Sequence, residues 1–196
     1  LERFTPEPRS AARARLGLEP DGRYLLSVGH LIERKGHHLA IEALRLLPEV
    51  HLLIAGAGPE RAALQALADS LGVAARVTFV GLVAQADLVW WYSAADALAL
   101  CSSREGWANV LLESMACGTP VVATNIWGTP EVVTCDAAGQ LMAERNAQSL
   151  AEAWHRLRGN PPERSATRAY AEGFSWNSTT QGQLALFRRV LAQGAS

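Results

Sequence analysis

The stretch Ser102-Ser103-Arg104-Glu105-Gly106-Trp107-Ala108-Asn109-Val110-Leu111-Leu112-Glu113-Ser114-Met115-Ala116-Cys117-Gly118-Thr119-Pro120-Val121-Val122-Ala123 decides how this chain is read. An apolar run, Ala97–Leu100, precedes it. A helical pattern then leads through Gly118-Thr119-Pro120 into a second apolar run. Strand, turn, helix, turn and strand is the repeating unit of a parallel sheet, because parallel neighbours need a long crossover. Glu105 falls on the strand-to-helix turn, and Glu113 lies about two helical turns further on. Backbone N–H groups that open a helix bind anions. Carboxylates accept hydrogen bonds from the hydroxyls of a ribose or a hexose. The segment offers both kinds of group side by side.

The same alternation extends to either side. Candidate strands are Tyr24–Val28, His51–Ala55, Val77–Val80, Ala97–Leu100, Pro120–Ala123 and Gly139–Met142. Candidate helices between and after them are Gly36–Leu46, Pro59–Leu71, Ala84–Ala94, Trp107–Ala116, Pro130–Thr134 and Ala147–Leu157. The strands are nearly continuous in Val, Leu and Ile, the pattern of a sheet covered on both faces. Such alternation implies right-handed crossovers and an open α/β parallel sheet of about six strands, with ligands beyond the carboxyl ends of the strands. Beyond Gly159-Asn160-Pro161-Pro162, Glu163–Ala171 and Thr179–Ala192 read as two further helices, with Phe174 and Trp176 between them. No strand is left for these helices to connect, so they are expected to pack across the domain or to reach another one. The expected organisation is residues 1–19 as linker and short helix, 20–158 as a Rossmann-like ligand-binding domain, and 159–196 as a helical extension.

Composition narrows the function. A net charge of −1 lacks the basic excess that phosphate-backbone binding needs, so no nucleic-acid partner is expected. No apolar run reaches transmembrane length. Cys101, Cys117 and Cys135 are an odd number without metal-like spacing, which fits free thiols in a reducing, cytoplasmic setting. The opening Leu1-Glu2-Arg3-Phe4-Thr5-Pro6-Glu7-Pro8 resembles a linker, and the chain is expected to be cut from a longer protein. Lys35 is the only lysine among 18 basic residues. A compact ammonium and a wide guanidinium fill different sites, so a lone lysine in an arginine-rich chain points to a place where arginine does not serve; chance survival is the alternative.

Lys35 also stands in a suggestive place. The first strand ends Val28-Gly29-His30-Leu31-Ile32-Glu33-Arg34-Lys35-Gly36, with Arg34 and Lys35 just before a helix on the ligand side. Two cations there suit a diphosphate; a solvated turn is the plainer reading. The second strand ends Ile54-Ala55-Gly56-Ala57-Gly58-Pro59. Its Gly-x-Gly resembles a dinucleotide-binding loop but has Arg61 where the third glycine belongs, so a tight turn has equal weight. Phe79-Val80-Gly81-Leu82-Val83 offers backbone groups and an apolar wall to a nucleobase, or is a plain turn. Glu113 sits among apolar and small neighbours, where a carboxylate must be paired or hydrogen-bonded. Trp107 and Asn109 flank the helix start and serve packing or capping as readily as a ligand. His37 and His38 are adjacent, so they point to different helix faces. No metal site is expected.

Ser103 to Thr124 resembles the signature of the retaining glycosyltransferases of family 4, the glycosyl transferases group 1, whose Glu-x7-Glu pattern matches Glu105 and Glu113. Val28-Gly29 with Lys35-Gly36, the Gly56-Ala57-Gly58-Pro59 turn, Val77-Thr78-Phe79-Val80-Gly81 and Gly128-Thr129-Pro130-Glu131-Val132-Val133 follow in the family's order, over roughly residues 20 to 195. The resemblance implies one half of a GT-B fold, the C-terminal, donor-binding one. The missing half would carry most of the acceptor site. It implies a nucleotide-diphosphate sugar as donor substrate, no separate cofactor, and a glycan or lipid acceptor, with peripheral membrane contact in the full-length protein. Lys35, helped by Arg34, would neutralise the diphosphate without a metal. Glu105 would contact hydroxyls of the transferred sugar and Glu113 those of the ribose. Backbone N–H groups of Gly106, Trp107 and Ala108, with Asn109, would meet the donor at the helix start, and Gly29, His30 and Gly81 would line the rest of its site. His30 is a departure, since many relatives carry arginine there; Trp107 is another, standing where phenylalanine is common. A sugar-nucleotide epimerase or phosphorylase on the same fold, and a non-catalytic nucleotide-binding domain, are the alternatives.

Overall fold

The computed structural model describes residues 3–106, 108–174, 180 and 183–190. Six strands form one sheet in which every pair is parallel: β1 (Arg23–Val28), β2 (Val50–Ala55), β3 (Val77–Gly81), β4 (Ala97–Leu100), β5 (Val121–Thr124) and β6 (Gly139–Met142). Their order is β3-β2-β1-β4-β5-β6. Chain order therefore runs outward from β1 in one direction and outward from β4 in the other. The turning point lies between these two strands, where Leu25 and Leu26 pair with Ala97 and Leu98.

Alternate residues on each strand feed two separate cores. Leu25, Leu52, Ile54, Ala97, Ala99 and Val122 face α2 (His37–Ala43), α3 (Arg61–Ser70) and α7 (Ala147–Gly159). Tyr24, Leu26, Leu53, Leu98, Leu100 and Ala123 face α4 (Leu88–Ala94), α5 (Asn109–Ala116) and α8 (Arg164–Glu172), with α6 (Thr129–Val132) at their edge. Burial on both faces explains the continuous apolar runs.

The expected strands are all present, and Ala97–Leu100 and Gly139–Met142 coincide with β4 and β6. The helices are trimmed for identifiable reasons. Where Gly36–Leu46 was expected, α2 stops at Ala43, and the carbonyls beyond it are taken by Arg76. That guanidinium donates to the carbonyls of Leu44, Leu47 and Val50 at 2.8, 2.7 and 3.1 Å. Ala84 to Asp87 form a hydrogen-bonded turn (Asp87 N–H to Ala84 carbonyl, 2.8 Å), so α4 begins at Leu88.

The flanking segments are integral to the packing. Phe4 is buried and meets Tyr92 edge-on with ring centroids 5.9 Å apart. α1 (Arg9–Leu16) lies against α4 through buried Arg13, which donates to Ala94 carbonyl and Asp96. α8 lies against α5, burying Thr167 and Ala171. Its Arg168 donates to the carbonyls of both Phe4 and Ala116, which sets the first segment beside α8 and α5. Residues 183–190 are helical, within the expected Thr179–Ala192; the rest of that span, apart from residue 180, lies outside the described residues, as does Trp176. Among the described residues no helix is long and apolar enough to cross a membrane.

Candidate functional site

At a topological switch point the loops leaving two adjacent strands diverge and open a crevice at the carboxyl edge of the sheet. Here those loops follow β1 and β4. Three chain ends meet at the β1 side. Gly29 N–H donates to Ala55 carbonyl (3.0 Å), Leu31 N–H to Ala57 carbonyl (2.9 Å) and Gly56 N–H to Gly81 carbonyl (2.8 Å). Gly56 has φ 154°, and a Cβ there would lie 1.8 Å from Gly29 carbonyl oxygen. A Cβ on Gly58 would lie 2.4 Å from Leu31 carbonyl oxygen. The Gly-x-Gly therefore serves close loop-to-loop packing. α3 starts only at Arg61, so Pro59 does not occupy its first position. A cavity of about 350 Å³ opens over this junction, lined by Gly29, His30, Gly56, Gly58, Leu82 and Val83 among others.

The β1 loop is fastened to the β4 loop. Glu33–Lys35 form a single 3₁₀ turn, and Gly36 follows with φ 70°, its α-carbon so close to Cys101 that a Cβ would lie 2.1 Å from the Cys101 carbonyl oxygen. Ser103 N–H donates to Arg34 carbonyl (2.8 Å), and the Arg34 guanidinium donates to Arg104 carbonyl (2.6 Å). The strongest tie is electrostatic. Lys35 Nζ lies 2.6 Å from Glu105 Oε1, the same oxygen that accepts from Ser102 Oγ at 2.5 Å. Glu105 is only 8% exposed, so its charge is held by partners and not by water. The Lys35 stem runs over the bare face of Gly29. Thr124 Oγ1 donates to Ser102 carbonyl at 3.0 Å and fixes that serine from the β5 side.

Glu113 belongs to a different contact. It is half-buried on α5, and Tyr92 Oη donates to its Oε2 at 2.9 Å. Burial pushes the Glu113 carboxyl up from its ordinary range, and the Tyr92 bond opposes that shift. Burial, reinforced by the Glu113 carboxylate, raises the Tyr92 phenol well above its usual value, so it stays a donor. Among the described residues none bonds Glu113 Oε1. Gly106 and Asn109 are exposed at the start of α5, and Ala108 is its N-cap with no side-chain cap. Trp107 lies outside the described residues.

The structure thus brings Lys35, Arg34 and Glu105 together across the switch point. Gly29, His30 and Gly81 stand around the junction of β1, β2 and β3, and the cavity lies beside the ion pair without enclosing either carboxylate. Sequence reasoning missed Ser102, Tyr92 and a buried pair beneath the β1 loop. There, Ser27 Oγ and His37 Nδ1 are 2.8 Å apart, and His37 Nε2 is 3.3 Å from His30 carbonyl oxygen. Burial lowers the His37 pKa to about 4, so the ring is neutral. The signal for Ser102 was its place two residues after the β4 run; neither Tyr92 nor His37 had one. Among the described residues no group of three or more His, Cys, Asp or Glu side chains is placed to hold a metal ion.

An open parallel sheet with a cation and a carboxylate locked across its switch point defines a Rossmann-like domain. Residues 8–174 match the sequence family described as "Glycosyl transferases group 1", and the chain belongs to that family. It is 37% identical over 203 residues to a D-inositol 3-phosphate glycosyltransferase of Mycobacterium leprae, covering 97% of this chain and 47% of that protein. It is similar to the sucrose-phosphate synthase of Thermosynechococcus elongatus, with TM-score 0.84, 30% identity, and coverage of 98% of this chain and 51% of that one. It is also similar to Anabaena Alr3699/HepE, solved in complex with UDP and glucose, with TM-score 0.82, 26% identity, and coverage of 96% and 54%. The chain spans about half the length of these relatives.

Proposed function

We propose that this chain is the donor-binding half of a retaining, GT-B glycosyltransferase that takes a sugar from a nucleotide-diphosphate sugar. The reading rests on one observation above the rest: an ammonium and a carboxylate 2.6 Å apart at the switch point, on loops anchored to each other through their backbones. Lys35 is placed to turn from Glu105 toward an incoming diphosphate, with the Arg34 guanidinium close behind. As the glycosidic C–O bond breaks, negative charge grows on the leaving diphosphate, and fixed cations stabilise it without reorganising. In this reading they do so without a metal. Glu105, held by Ser102, accepts from hydroxyls of the transferred sugar, and Glu113 uses its open Oε1 to accept from the ribose. Backbone N–H groups at the start of α5, from Gly106 and Ala108, meet phosphate or sugar oxygens. The 350 Å³ cavity, with Leu82 and Val83 as its wall, takes the base. That Alr3699/HepE was solved with UDP and glucose supports a uridine nucleotide as the first donor to try.

The acceptor, a glycan or a lipid, would be held by an N-terminal domain in the full-length protein, with peripheral membrane contact if it is a lipid. The free thiols Cys101, Cys117 and Cys135 support a cytoplasmic enzyme. The test is calorimetric titration of UDP into wild type and Glu113→Ala. Losing a hydrogen bond to a charged group weakens binding by about 1.5–3 kcal/mol. Unchanged affinity would remove the ribose role from Glu113.

A further inference from the structure

The amino edge of the sheet, opposite the switch-point crevice, carries a cluster of arginines around one carboxylate. Asp96, just before β4, is 8% exposed. Its Oδ2 accepts from Arg13 Nη2 (3.1 Å) and from Tyr24 N–H (2.8 Å). Its Oδ1 faces two more guanidiniums, Arg9 from the first residue of α1 at 3.3 Å and Arg158 from the last turn of α7 at 3.7 Å. Arg164 stands close enough that repulsion from Arg9 and Arg13 adds to burial in pulling its pKa down to about 10.

The four arginines differ in what remains free. Arg13 spends its fork on Ala94 carbonyl, Pro20 carbonyl and Asp96. Arg164 spends its own on the carbonyls of Ser93, Ala95 and Cys117 and on Thr119 Oγ1. Arg9 and Arg158 have no hydrogen-bond acceptor beyond the shared Oδ1 among the described residues, and Arg9 Nε is enclosed with no partner at all. Their side chains are 38% and 33% exposed. Among the described residues no second carboxylate pairs with any of the four, so one negative charge faces four positive ones. The uncapped N-terminus of α1, with Arg9 at its head, adds to the positive field.

We propose that Arg9 and Arg158 bind a phosphate-type oxyanion beside Asp96, through the guanidinium N–H groups that Oδ1 leaves unused, at a site separate from the switch-point crevice. Each guanidinium turns one nitrogen, Nη1, toward Oδ1 and keeps further donors that the carboxylate does not use; planar donors of this kind suit a tetrahedral oxyanion better than a halide. The bound ion ties the head of α1 to the end of α7.

The experiment is thermal unfolding of the full-length protein titrated with inorganic phosphate against sodium chloride at equal ionic strength. A Lys35→Ala, Arg34→Ala background takes both cations from the crevice, and saturating UDP occupies what remains of its claim on phosphate. In that background phosphate raises Tm and chloride does not. Arg158→Gln then weakens the apparent phosphate Kd by about tenfold, the scale of one charge-assisted contact. Arg9→Gln with Arg158→Gln abolishes the gain. Methyl phosphate serves as a second probe: an equal gain assigns recognition to the phosphoryl group, and a gain from inorganic phosphate alone assigns it to the free ion. Equal shifts from phosphate and chloride, or a phosphate gain that survives in the double variant, overturn the proposal. A gain absent from the Lys35→Ala, Arg34→Ala protein itself also overturns it. Arg158 is partly exposed, so the single variant folds and keeps the measurement decisive should the double one fail.

Discussion

His37 shows what a single residue contributes without touching solvent. Wedged between Ser27 Oγ and the His30 carbonyl, it supports the backbone that lines the cavity. Its folded pKa of about 4 lies below the ordinary 6.5, so between these values the unfolded chain binds the extra proton. Stability is therefore full above pH 6.5 and is lost as pH falls toward 4, by on the order of 3 kcal/mol. Glu113, pushed upward by burial, works in the opposite sense and offsets part of this. Urea unfolding at pH 7 and at pH 5 should show a loss in wild type and a smaller loss in His37→Asn. Equal slopes would show that the ring does not couple to pH. Lys35 and Glu105 were legible in the chain because one is a lone lysine and the other closes an apolar run. Tyr92 was not, because its tie to Glu113 depends on how α4 lies against α5, and no local pattern encodes that.

At the scale of elements, the strands were readable because burial on both faces leaves little room for polar residues. Helix ends were less so. The end of α2 is set by Arg76, distant in sequence, and the start of α4 by a turn whose composition looks helical. The Gly-x-Gly after β2 reads equally as a ligand loop or a tight turn, and its glycines let two backbones touch. Gly56→Ala must push the β2 loop off Gly29, against a φ of 154° that alanine resists. A destabilisation of about 2–4 kcal/mol is expected in chemical denaturation, within the range of overpacking and backbone strain. Gly72→Ala, at φ 67° but with nothing within 4 Å, isolates the backbone contribution and should cost about 1 kcal/mol. Comparable losses for the two would mean that the loop contact with Gly29 is not what requires a glycine at position 56.

At the scale of the whole molecule, the sheet order was foreseeable only as a class. Alternation of strand and helix implies a parallel sheet, but the place where the order reverses depends on which strands pair. The pairing of β1 with β4 is what turns Lys35 and Glu105 into neighbours. In the proposed function the crevice has one wall in this chain. Residues 1–196 alone should therefore bind a nucleotide-diphosphate sugar, seen as a rise in Tm, and transfer little or none of the sugar in a product assay. Sustained turnover by this chain alone would place the acceptor site within it.

The Arg168 guanidinium that holds both Phe4 and Ala116 buckles residue 4 to a helix 164 positions further on. A clasp between such distant positions couples the docking of the first segment to that of α8, so loosening either loosens the other.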